Sequence, residues 1–158
     1  MPAVLAGYHF FILLMVVVAT GFNQGLLLPL LSILLDKSGV AADLNGINST
    51  ALYIGSFGAM FFVEKLVARL GYKNVIMGGL VVILCAGLAF PLTEELAVWF
   101  VLRLLIGAGD SCLHFAAQLW IVSSSSSERR GRNIALYGMS YGIGFSVGPL
   151  GINLLPLG

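Results

Sequence analysis

The amino-acid sequence predicts an all-α integral membrane protein, built as a bundle of membrane-spanning helices. Hydrophobic residues make up 59% of the chain and charged residues only 9%, whereas soluble domains carry about 25% charged residues. The apolar residues are gathered into long runs separated by short polar breaks. Because about twenty apolar residues cross the hydrocarbon core as a helix, these runs predict membrane spans.

Five apolar runs predict the individual helices, near residues 8–35, 47–66, 75–92, 96–122 and 134–155. The breaks between them are short, which makes neighbouring helices antiparallel. The chain ends at Gly158, directly after the last run and without a polar tail. We therefore expect residues 1–158 to be an incomplete N-terminal transmembrane domain of a longer protein.

The charged residues of the breaks predict the orientation. Six of the eight Lys and Arg residues lie in or beside the second and fourth breaks: Lys65, Arg69, Lys73, Arg129, Arg130 and Arg132. The third break instead holds the acidic pair Glu94 and Glu95. Under the positive-inside rule, we expect a multi-pass protein of the cell membrane whose N-terminus and basic loops are cytoplasmic.

Several other classes are excluded by the same composition. The basic residues are dispersed between spans, so no nucleic-acid surface is predicted. Cys85 and Cys112 lie in separate apolar runs and no metal-ligand spacing occurs, so we expect reduced thiols, no metal and no cofactor. A G-x-G-D pattern at 107–110 lacks a second membrane aspartate, and a G-x-S-x-G pattern at 144–148 has no strand before it. We therefore do not expect an enzyme.

The fourth span carries four polar side chains within its apolar sequence: Arg103, Asp110, His114 and Gln118. At about 100° per residue they fall within roughly 80° of one another on a helical wheel. A charged side chain facing lipid costs about 2.5–3.5 kcal/mol, so this stripe is expected to face protein or water inside a bundle. Polar residues in such positions mark substrate and ion pathways.

Within this stripe, Asp110 and His114 are one helical turn apart and are expected to share a proton or form an ion pair. Such a pair would suit a proton-coupling site. The alternative is that Asp110 is a static partner for Arg103, whose guanidinium offers donors to a carboxylate or to backbone carbonyls.

Small residues next to this stripe predict close helix contacts. Gly107 and Gly109 follow Arg103 in an R-x-x-x-G-x-G pattern, and glycines in membrane helices allow neighbouring backbones to approach. The fifth span contains Gly144 and the pair Gly148 and Pro149, where the missing backbone N–H of proline favours a bend. Both a packing role and a moving hinge are open for this glycine-rich span.

At these residues the chain resembles the major facilitator superfamily. The fourth-helix signature of that family is an arginine followed by two glycines at the spacing found in residues 103–109. Its fifth-helix signature, associated with proton-coupled efflux members, is a glycine four residues before a Gly-Pro pair, as in residues 144–149.

A third signature of the family, G-x-L-A-D-R-x-G-R-K, corresponds to residues 64–73, between the second and third spans. Arg69, Gly71 and Lys73 match it, but Glu64 replaces its first glycine and Ala68 replaces its aspartate. The resemblance therefore implies a cytoplasmic loop motif at residues 69–73, without the aspartate-based contact between domains.

The resemblance implies a six-helix N-terminal domain, of which this chain supplies five helices. A second six-helix half, missing here or present as a second chain, would face it across a central cavity. Helices 1 and 4 would line most of that cavity. On helix 1 this draws attention to Asn23 and Gln24, which lie near the middle of the span. Their alternative role is to bind neighbouring helices.

The predicted function is secondary active transport, most simply proton-driven efflux of a small hydrophobic or amphiphilic solute by alternating access. The expected partners are this solute, the proton, the lipid bilayer and the missing half. Two alternatives stay open: a proton-coupled importer of a sugar or organic acid, and a non-transporting scaffold that pairs through its glycine faces.

Overall fold

The structure is a computed structural model and describes residues 7–154. This part of the chain forms five α-helices and two short 3₁₀ helices, with no strand among the described residues. The α-helices are α1 (Gly7–Lys37), α2 (Ala42–Leu70), α3 (Tyr72–Ala89), α4 (Leu96–Ser124) and α5 (Ser127–Val147), and the 3₁₀ helices are Phe90–Leu92 and Gly148–Leu154. The predicted all-α class is confirmed.

Four of these helical segments are long and apolar enough to cross a membrane, judged by length and composition: α1, α2, α3 with its 3₁₀ turn, and α4. The predicted spans 8–35, 47–66, 75–92 and 96–122 lie inside them. The helices extend beyond the apolar runs at several ends. At the start of α2, for example, Asp43 lies in the first turn, where a negative charge is stabilised by the helix dipole.

The fifth predicted span is divided between two kinds of helix. α5 begins at Ser127, so that its first turns contain Glu128 and three arginines, and it ends at Val147. A 3₁₀ helix then continues to Leu154. Residues 134–147 at about 1.5 Å each, followed by the 3₁₀ residues at about 2 Å each, reach about 35 Å. That is long enough for a bilayer core, so this span remains a prediction; its last residue, 155, lies outside the described residues.

The chain divides into two compact units, and the division falls within α4. The first comprises residues 1–38 and 118–158, and its main contact is between α1 and α5. The residue numbers at the contact increase together along both helices, from Val18 with Gly144 to Phe22 with Gly148. α1 and α5 therefore run parallel, as the first and fifth members of an up-and-down series do.

The second unit comprises residues 39–117 and contains α2, α3 and most of α4. At the contact between α2 and α4 the residue numbers of both helices increase together, from Asn48 with Leu96 to Ser56 with Gly107. These two helices therefore run parallel. In contrast, α3 and α4 run antiparallel, because Gly79 contacts residue 113 while Val82 contacts residue 109. The short connection between α3 and α4 predicts this arrangement.

Candidate functional site

The candidate site is built on α4, whose middle carries an ionisable residue. Asp110 lies midway between the two ends of this helix, Leu96 and Ser124. If α4 crosses a bilayer, Asp110 lies close to the centre of the hydrocarbon core. An ionisable residue at that depth points to a functional site, because an uncompensated charge there is costly.

His114 lies one turn after Asp110, and its imidazole lies next to the carboxyl group of Asp110. The distance between His114 Nε2 and Asp110 Oδ1 is 3.3 Å, and the two side chains are 14% and 12% exposed. Both groups are therefore largely withdrawn from water. Electrostatic attraction is stronger in such a buried position than at a surface. The contact lies within ion-pair distance but is not a hydrogen bond in this conformation, and it becomes an ion pair when the imidazole is protonated.

Arg103 lies two turns before Asp110 and is directed to a different partner. Its Nη1 donates a hydrogen bond of 2.8 Å to Ser49 Oγ on α2. The residue is only 2% exposed, and its Nε and Nη2 have no hydrogen-bond partner among the described residues. In this part of the chain Asp110 pairs with His114. The structure therefore does not support Asp110 as the static partner of Arg103.

Other polar residues of α2 attach this helix to the backbone of α4. Asn48 is 2% exposed, and its Nδ2 donates to the Leu96 carbonyl at 3.0 Å. Ser56 Oγ donates to the Gly107 carbonyl, also at 3.0 Å. These bonds hold α4 against α2 at its start and near its centre. They thereby fix the position of the Asp110–His114 pair along α2.

The two glycines of the R-x-x-x-G-x-G pattern contact two different helices. A Cβ atom at Gly107 would collide with the backbone carbonyl of Leu52 on α2, and one at Gly109 would lie 2.9 Å from the Gly79 carbonyl on α3. The contacts are reciprocal, since a Cβ at Gly55 would meet the Leu104 carbonyl. Residues 107 and 109 thus bring α4 into backbone contact with both neighbours.

The remaining predicted pathway residues lie in the first unit and differ in exposure. Gln118, one turn after His114, is exposed. On α1, Gln24 is buried and Asn23 is half-buried. The structure brings together Asp110 and His114 among the predicted pathway residues, and the roles of Gln118, Asn23 and Gln24 stay predictions.

The glycines of the fifth span pack against α1. A Cβ atom at Gly144 would collide with the Val18 carbonyl, and one at Gly148 would lie 2.5 Å from the Phe22 carbonyl. The α-helix ends at Val147, and Pro149 cannot donate to the carbonyl four residues before it, that of Phe145. That carbonyl lies against Gly25. This geometry gives the glycines a packing role and changes the helix type at Pro149.

Gly71 determines the connection between α2 and α3. Its φ angle is +79°, a backbone conformation that glycine adopts without steric cost. Its N–H donates to the Val67 carbonyl at 2.9 Å and thereby closes the last turn of α2. Arg69 and Lys73 are both exposed on either side of it. The glycine of the predicted loop motif thus has a conformational reason, whereas the role of its basic residues stays a prediction.

The sequence alone did not reveal which residues contact Arg103 and the glycines of α4. It did not identify Ser49 as the acceptor for Arg103, nor Gly55 and Gly79 as the contacts of the α4 glycines. A usable signal exists for one set, because Gly21 and Gly25 repeat on α1 the four-residue spacing of Gly144 and Gly148 on α5. A buried arginine in a span also requires polar partners at its depth, but several spans contain polar residues, so this requirement does not identify the helix.

These features define a polytopic α-helical membrane protein with a carboxylate–imidazole pair at the middle of one span. The family model of the Major Facilitator Superfamily matches residues 13–155. The chain belongs to the major facilitator superfamily, and the resemblance seen in its sequence is confirmed.

One relative adds detail to this assignment. A protein of Bacillus subtilis (strain 168), described as the uncharacterized MFS-type transporter YfkF, is 46% identical over 151 residues. The match covers 95% of this chain and 38% of the relative, so the chain spans well under half the length of that protein. No solved structure matches the chain.

Proposed function

We propose that this chain is part of a secondary active transporter that moves a small hydrophobic or amphiphilic solute by alternating access and exports it in exchange for protons. The observation that carries the proposal is the Asp110–His114 pair, 3.3 Å apart at the middle of α4. Membership of a transporter family agrees with this reading. Transporters bind substrates and coupling ions near the bilayer midplane.

The charge of the pair explains how a proton would be coupled to movement. With one proton bound, the pair has no net charge, either as an ion pair or as two neutral groups. Without that proton it carries one negative charge, which is costly in a low-dielectric interior. Closed conformations therefore favour the protonated pair, and open conformations tolerate the charged one. Protonation in this way changes the relative energies of the two conformations.

The proposal is tested with the native full-length protein in proteoliposomes. Ethidium serves as an amphiphilic probe, and a pH gradient that is acidic inside drives its accumulation. We expect accumulation that collapses when a protonophore removes the gradient and that is absent from protein-free vesicles. Ethidium is also added to vesicles that are acidic inside while the pH of the medium is recorded. Acidification of the medium would show that protons leave as ethidium enters.

The same vesicles separate the alternatives. With the gradient reversed to acidic outside, entry of radiolabelled glucose or benzoate faster than into protein-free vesicles, in the absence of ethidium accumulation, would favour an importer. Lack of movement of all three probes would favour a scaffold. A scaffold paired through its glycines has less support, because Gly144 and Gly148 are already in contact with α1.

Orientation is a further part of the proposal: the loops near Arg69 and Arg129 are cytoplasmic and the Glu94 turn is external. Single cysteines at Ala68, Thr93 and Ser125, in a background without Cys85 and Cys112, are treated in intact cells with an impermeant maleimide. We expect labelling at Thr93 alone, because the basic loops are retained inside. Labelling at Ser125 with protection at Thr93 would reverse the orientation. Permeabilised cells provide the control for reactivity at all three sites.

A further inference from the structure

We propose that Arg103 is the receptor for a carboxylate, which binds along the free edge of its guanidinium group. No Asp or Glu of the described residues 7–154 occupies that edge, so the carboxylate comes from a carboxylate-bearing solute or from an acidic residue outside this chain segment. The inference concerns a different residue from the proton pair on α4, and it holds whether or not Asp110 exchanges a proton.

The first argument is the geometry of the unused donors. Nη1 of Arg103 is satisfied by Ser49 Oγ at 2.8 Å, whereas Nε and Nη2 have no hydrogen-bond partner in the described part of the chain. These two nitrogens form one edge of the planar guanidinium, and their N–H groups point in the same direction. That edge matches the two oxygens of a carboxylate, which it binds through a pair of parallel hydrogen bonds.

The second argument is the missing negative charge. The chain has seven Asp and Glu residues, and all of them are described. Six are exposed: Asp36, Asp43, Glu64, Glu94, Glu95 and Glu128. The seventh, Asp110, is paired with His114. Arg103 is only 2% exposed, so its buried positive charge has no counter-ion among residues 7–154. Buried charges in proteins are normally paired.

The charge and shape of the edge restrict the ligand. A single guanidinium balances one negative charge, so a monoanion is favoured over a phosphate that carries two. A carboxylate held by Arg103 beside Ser49 would be shielded from water. Charge-assisted hydrogen bonds are strong in such water-excluded surroundings.

The site is closed in the described conformation, since both free nitrogens lack solvent access. The two sources of the carboxylate therefore differ in how they arrive. A solute enters only when the side chains over this edge move apart, whereas an acidic side chain of the protein would be placed there as the protein folds. This difference allows the two sources to be separated experimentally.

Trp99 provides a local reporter, because it lies one turn before Arg103 on the same face of α4 and is buried. The full-length protein, with Trp120 and every tryptophan outside residues 1–158 changed to Phe, is titrated with 4-iodobenzoate, whose iodine quenches indole fluorescence. Neutral 4-iodobenzamide, of nearly equal size, controls for partition into apolar grooves. Chloride concentration and pH are held constant. We expect saturable quenching of Trp99 by the carboxylate and none that saturates with the amide.

Substitutions assign the binding to the guanidinium edge. Arg103→Lys keeps the positive charge but removes the paired donors, and we expect it to weaken 4-iodobenzoate binding about tenfold or more. Arg69→Lys, the same change at an exposed residue, is the matched control and should leave binding unchanged. If Arg103→Lys does not fold, the comparison of benzoate with benzamide on the parent protein still decides.

The second source gives a distinct result. If an acidic residue outside residues 1–158 occupies the edge, the parent protein shows no saturable quenching, but changing that one residue to its amide creates benzoate binding at Trp99. The proposal is overturned if neither the parent protein nor any such Asp→Asn or Glu→Gln variant binds 4-iodobenzoate in preference to the amide. An Arg103→Met protein with a raised melting temperature and unchanged transport would then identify a charge that merely lowers stability.

Discussion

We expect Asp110→Asn to abolish proton-driven accumulation of ethidium, down to the level of protein-free vesicles. Asparagine is nearly the same size as aspartate but cannot accept the coupling proton, so the pair with His114 no longer alternates between a negative and a neutral state. Exchange of ethidium between the two sides without a pH gradient needs no proton and should survive. The measurement is uptake in proteoliposomes with and without an imposed gradient, made on the full-length protein.

The structure also predicts the stability of this variant. Arg103 donates to Ser49, not to Asp110, so the change leaves no guanidinium without its partner, and the melting temperature should stay close to that of the parent protein. Asp43→Asn, at an exposed carboxylate, is the control for loss of a negative charge. A stable Asp110→Asn protein that still accumulates ethidium would exclude proton exchange at this residue. Loss of stability, restored by adding Arg103→Gln, would assign Asp110 to a structural ion pair.

The second large effect is expected at the contact between α1 and α5. Gly144→Ala places a Cβ atom against the Val18 carbonyl, with Phe22 N and Val18 C each 2.9 Å away. All three are backbone atoms, so they cannot move aside as a flexible side chain would, and the helices must separate. Overpacking of this kind typically costs about 1–3 kcal/mol. We expect a lower melting temperature in detergent and a lower yield of folded protein.

Gly142→Ala is the matched control, because it makes the same change two residues earlier on α5. A Cβ atom at Gly142 meets nothing within 4 Å. Alanine is also a better helix former than glycine by about 0.8–1 kcal/mol, so this variant should be as stable as the parent protein or more so. If both variants have the melting temperature of the parent protein, the close approach at Gly144 does not contribute to stability.

These two sites differ in how far the sequence could predict them. The one-turn spacing of Asp110 and His114 is sufficient to predict their pairing, because residues four apart lie side by side on any α-helix. Likewise, the glycines of the fifth span predict a close contact, since small residues at four-residue spacing expose backbone along one face. Neither pattern, however, identifies the helix on the other side of the contact.

The partner of Arg103 shows the same limit more sharply. Asp110 is the carboxylate nearest to Arg103 within α4, and sequence reasoning accordingly offered it as a static partner. Two helical turns place it about 10 Å further along the axis, whereas Ser49 on the parallel helix α2 is within 2.8 Å of the guanidinium. Hydrogen bonds between helices depend on their relative register, which is set by all the contacts between them.

The sequence by itself determined the membrane class, the helical content, the family and the ionisable residues of α4. Each of these follows from local composition or from spacing along a single helix, where periodicity fixes geometry. The tertiary structure decided that Gly107 meets α2 while Gly109 meets α3, and that the edge of Arg103 has no counter-ion among residues 7–154. Such contacts join residues 30 to 55 positions apart. Their identity depends on how whole helices pack, which no local pattern specifies.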